Sequence, residues 1–141
     1  MPEDPESNDT VAAKPEDVGL SWTLGHVVVH TTASAEESAA LALTLARGLP
    51  VAGRSRHEVP WEGVQTAAFI RARIEESRRM RLAMLTAWPD EPQLDNFYSP
   101  YEDRPPINAL GRFLSGLAHD ASHLEQMRKI MVQARGRRRA A

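Results

Sequence analysis

The chain has 141 residues, enough for one domain with a real core, and its net charge of −2, 42% hydrophobic and 26% charged residues are ordinary for a globular protein. That charge gives no overall case for nucleic acid, and no apolar run is long enough for a membrane-spanning helix. The chain has no cysteine, so no disulfide holds the fold and no protein thiolate can serve as nucleophile or ligand. The first residues, MPEDPESND, are acidic and lack the apolar segment of a signal peptide, and a cytoplasmic location is the expectation.

Residues 1–20 carry Glu3, Asp4, Glu6, Asp9, Glu16 and Asp17 with Pro2, Pro5 and Pro15 and few large apolar residues, the composition of a disordered acidic arm. A first helix is predicted from Trp22 to Arg47, capped by Ser21 and stopped by Gly48 and Pro50. Its β-branched run Val27–Val28–Val29 favours strand locally. Trp22, Val29, Ala33, Ala40 and Leu41 nevertheless continue one helical pattern into an Ala/Leu-rich half. A second helix is predicted from Trp61 to Trp88, opened by Pro60 and ended by Pro89, with Ala67, Ile70, Ile74, Ser77, Met84 and Trp88 at helical spacing. Residues 89–106 form a long proline-rich connection containing Phe97, Tyr98 and Tyr101, which reads as a packed flap. A third helix is predicted from Ile107 to Gln133. Leu110, Leu117, Leu124 and Met131 recur every seven residues on it and read as its core stripe. Residues 135–141 hold Arg135, Arg137, Arg138 and Arg139, a basic tail best read as a solvated helix end. The fold class is all-α, with the domain at 21–134.

Four of the five histidines form two pairs at i, i+4: His26/His30 in GHVVVH and His119/His123 in LAHDASHLEQM. Residues four apart share one helix face, where two imidazoles can converge on one cation. Three neutral imidazoles from two helices suit Zn²⁺, Ni²⁺ or Fe²⁺ and leave a position open, as a catalytic metal requires. The competing reading makes these ordinary surface or hydrogen-bonded histidines. Helical projection puts His119 and His123 on a different face from the Leu110/Leu117/Leu124 stripe, with Gly116 one turn earlier leaving room for a ligand or a close helix. His57 has no partner at useful spacing and reads as a surface residue.

The segment WTLGHVVVH, the acidic Ala/Leu-rich helix after it and the late AHDASHLEQM together resemble the DinB/YfiT-like superfamily over about residues 20–133. The resemblance implies an up-and-down helical bundle of the DinB four-helix type, here with its first helix short or missing. It implies a divalent metal (Zn, Ni or Fe) on His30, His119 and His123. By the same resemblance His26 is not a ligand, and His26 and Glu37 are candidates to support the ligands from behind. Some members are thiol-dependent enzymes, and this implies activation of mycothiol, bacillithiol or glutathione for S-transfer or isomerisation of a small electrophile. For a weaker, hydrolytic reading Asp120 points away from the histidine pair, which leaves Glu37 and Glu125 as the nearest general-base candidates, and Tyr98 or Tyr101 could offer a hydroxyl if the 89–106 connection covered the metal. A bundle short of one helix exposes apolar surface, so a homodimer is expected. The alternative to an enzyme is a non-catalytic dimerising helical module with a structural or vestigial metal site. The partner expected is a small-molecule substrate, with neither nucleic acid nor membrane.

Overall fold

The computed structural model describes residues 22–51, 53 and 56–140, so the acidic arm expected at 1–20 lies outside the described residues. Three α-helices, α1 (Leu24–Ala46), α2 (Ala67–Thr86) and α3 (Ala109–Ala140), pack together, with a short 3₁₀ turn at Trp61–Gly63. The all-helical expectation holds. Among the described residues there is no strand, and Tyr98 and Ile107 form an isolated antiparallel bridge. No described helix is long and apolar enough to cross a membrane.

The helix α1 begins two residues later than a Ser21 cap implies. Thr23 is its cap, and Thr23 Oγ1 accepts the His26 N–H at 3.0 Å. The strand-favouring Val27–Val29 run stays helical because tertiary packing buries it completely. Thr31 and Thr32 follow, each donating its hydroxyl to a carbonyl one turn back, at 2.7 and 2.8 Å. α1 is the central element, buried along most of its length between α2 and α3.

α3 runs antiparallel to α1. The His30 and His123 rings meet at 4.8 Å, Gly116 lies against Ser38, and Ala109 shares a small core with Leu45 and Ala46. Gly116 is required for this approach, since a Cβ there would lie 2.5 Å from Ser38 Cβ. α2 runs the same way as α1, with an Arg73–Glu36 ion pair towards one end and Trp88 against Leu45 and Ala46 at the other. The long connection between them makes this possible, because its stretch from Arg56 to Thr66 returns along α1 before α2 begins.

Three helical expectations need correction. The second helix does not start at Trp61. Trp61–Gly63 is a separate turn, Val64 is buried, and α2 opens at Thr66, whose Oγ1 accepts from Phe69 N–H at 3.1 Å. The third helix does not end at Gln133 but runs through the basic residues to Ala140, which lie in its last turns. The Leu stripe is not its core face. Leu110, Leu117 and Leu124 are 49%, 45% and 61% exposed, whereas Ala109, Gly116 and Ile130 are buried. Both sets repeat every seven residues and sit one position apart. Close packing on α1 selects the smaller set, because leucines there would hold the helices too far apart.

Candidate metal centre

His30, His119 and His123 come together, each offering one ring nitrogen, with these atoms all within 4.8 Å of one another. His30 comes from the second turn of α1, and His119 and His123 from successive turns of α3, brought alongside by the antiparallel packing. The pair expected to face away from the core therefore faces α1 and is half-buried. His119 Nε2 and His123 Nε2 lie 3.1 Å apart. His123 Nδ1 is 2.8 Å from Gln126 Oε1, so Nδ1–H donates to the amide oxygen and Nε2 keeps its lone pair.

Electrostatics favour neutral rings. Burial first, then the positive charges of His123 and His30, push His119 from 6.5 down to about 4. Burial also lowers His123, against the hydrogen bond to Gln126. A neutral imidazole is the ligand form, so the lowered His119 and His123 are already in the state that a divalent cation requires.

The stretch from Arg56 to Thr66 closes one side of this cluster, and its contacts step down α1. Arg56 Nη1 donates to Ser34 Oγ at 3.0 Å, Glu58 Oε1 lies 3.2 Å from His30 Nδ1, and the Trp61 ring stacks on His26 at 5.0 Å. Val64 then presses its carbonyl against Gly25, where no Cβ would fit. Trp22 caps the other side, stacked on His26 at 4.5 Å and on His123 at 6.0 Å.

A family model described as the DinB superfamily matches residues 6–127, most of the chain. The chain belongs to the DinB superfamily. No curated protein matches it, and no solved structure does. In this DinB-superfamily bundle the three-histidine cluster is compatible with a divalent metal site. The donor set suits such a cation: three imidazole nitrogens converge, and the group holds three members among the described residues.

The other residues singled out from sequence lie as follows. His26 is sandwiched between Trp22 and Trp61, beside the cluster but not within it. Glu37 is buried two turns beyond His30, where it lines a recess with Glu36, Arg73 and Met80 on the α2 side. His57 is exposed, as expected. Asp120 pairs with Arg81 of α2 at 3.3 Å and Glu125 with Arg128 at 3.8 Å, so neither carboxylate is aimed at the imidazoles. The 89–106 connection does not cover the cluster. Tyr98 packs on the Leu45/Ala46/Ala109 core at the far end of α1, because antiparallel packing sends the start of α3 away from His30. The return segment through Glu58 takes that place instead. Sequence reasoning misses Glu58 because it belongs to no periodic element and lies 28 residues from its partner.

Proposed function

We propose that this DinB-superfamily protein is a divalent-metal-dependent enzyme that activates a low-molecular-weight thiol (mycothiol, bacillithiol or glutathione) for S-transfer or isomerisation of a small electrophile. The observation that carries the reading is a convergent three-imidazole group with no fourth protein ligand in it among the described residues. His30, His119 and His123 would hold the cation (Zn²⁺, Ni²⁺ or Fe²⁺) and leave a position for an exogenous ligand. A divalent cation in such a site supplies the charge that turns a bound thiol into a thiolate at neutral pH. The chain lacks cysteine, so the sulfur nucleophile would come from outside. A cytoplasmic setting, where small thiols stay reduced, accords with this chemistry. Trp22 stacks on His26 and His123, and Trp61 stacks on His26 beside the cluster. The test is cobalt-substituted protein titrated with each thiol. Thiolate-to-metal charge-transfer absorption is expected, and its absence with every thiol in folded, metal-loaded protein would overturn the reading.

A second feature favours association. Leu82 and Leu85 of α2 face Phe113 and Leu117 of α3 across a cleft of about 190 Å³ floored by Ala35, Ser38 and Ala39. Leu110, Leu114 and Leu124 extend the apolar surface beyond it. We propose that a second copy of the chain covers this face. A non-catalytic dimerising module would share this interface, and it becomes the better reading if untagged protein binds no metal.

A further inference from the structure

An imidazole ligates through one nitrogen, and the partner of the other decides which nitrogen is free. For His30 that partner is Glu58, whose Oε1 lies 3.2 Å from His30 Nδ1. A glutamate is ionised at neutral pH. An ionised carboxylate only accepts, so the proton between them sits on Nδ1 and the lone pair is left on Nε2. The carboxylate is also held in place from its own side. Arg56 donates to Ser34 Oγ, one turn along α1, and its guanidinium lies 3.8 Å from Glu58 Oε1. Trp61, stacked on His26, pins the chain three residues after Glu58. Arg56 and Trp61 thus anchor the segment to α1 on either side of the carboxylate.

We propose that Glu58 is a positioning residue for the three-histidine centre: its carboxylate fixes His30 in the Nδ1–H tautomer, leaves Nε2 for the cation, and places a negative charge one imidazole away from it. The part concerning the cation rests on the metal reading above; the tautomer does not. Carboxylate–imidazole pairs of this kind raise ligand basicity, and losing one typically costs about 10–100-fold in metal affinity.

The tautomer is read first, by ¹⁵N–¹H correlation of the His30 ring in metal-free protein at mildly alkaline pH. Wild type is expected to show Nδ1–H. Glu58→Ala is expected to move the population towards Nε2–H, while Glu58→Gln, which keeps an acceptor of the same shape, retains Nδ1–H. Zinc affinity is then measured by chelator competition. Glu58→Ala is expected to weaken it by about 10–100-fold and Glu58→Gln by a smaller factor, with metal-free melting temperatures that match wild type. An Nε2–H tautomer in wild type, or one that does not respond to Glu58→Ala, overturns the proposal. So does unchanged zinc affinity in both variants. If wild type binds no zinc, the metal reading fails, and the ring spectrum alone still decides the Glu58–His30 hydrogen bond.

Discussion

The two neighbouring faces of α3 carry the same seven-residue repeat and opposite fates. Ala109, Gly116, His123 and Ile130 turn towards α1, while Leu110, Leu117, Leu124 and Met131, one position along, remain exposed. The inner face is poorer in apolar area but closer-packed, and it carries the imidazoles. The outer face is richer in leucine and has no partner within the described residues. A cluster of imidazoles built into a small bundle takes up part of the helix contact, and apolar surface that could otherwise make the core stays exposed.

The sharpest way to break the inner face is to remove a ligand. His119→Ala is expected to take metal content from about one equivalent to near none, while His57→Ala leaves it unchanged, as metal analysis of untagged protein would show. Full metal content in His119→Ala would remove His119 from the ligand set.

Gly116→Ala tests the packing that brings the ligands together. The new Cβ would meet Ser38 Cβ at 2.5 Å, so the helices must separate. The expected loss is about 1–3 kcal/mol in urea unfolding, accompanied by weaker metal binding. Adding Ser38→Gly should restore part of both, and additive losses in the double variant would show that the two residues do not press on one another.

Leu117→Glu on the outer face should do the reverse. Sedimentation or light scattering is expected to show a shift from dimer to monomer, with metal content kept and monomer stability changed by only about 0.5 kcal/mol. A wild-type chain that is monomeric and unfolds cooperatively at micromolar concentration would remove the dimer proposal.

A further test is the pH dependence of the metal-free fold. His119 titrates at about 4 in the folded state against 6.5 for the free side chain, so between these values the unfolded chain binds more protons. Stability is therefore full above about 6.5 and falls as the pH drops towards 4. A urea midpoint that is flat across that window in wild type, or that falls equally in His119→Ala, would contradict the burial of a neutral His119.

Much of the fold is legible in the sequence because its signals are local. The helical period, the prolines and the Ala/Leu-rich half of α1 mark three helices, and the i, i+4 histidines point to one face each. The start of α2 escapes such reading because Trp61–Gly63 imitates a helix opening, with Pro60 before it, while Thr66 caps the true one. The core face of α3 is misread because two heptad stripes differ only in residue size, and hydrophobicity alone favours the leucines.

The order of the residues by itself determined that the chain is helical, that it belongs with DinB-type bundles, and that His30, His119 and His123 were worth joining. Those conclusions depend on spacing within single helices and on motif resemblance, both of which survive without coordinates. Only the tertiary structure decided which stripe of α3 meets α1, that the Arg56–Thr66 stretch rather than the 89–106 connection flanks the imidazoles, and that Glu58 faces His30. These are contacts between residues far apart in the chain, and they follow from how closely two helices can approach and where the long return lays its side chains.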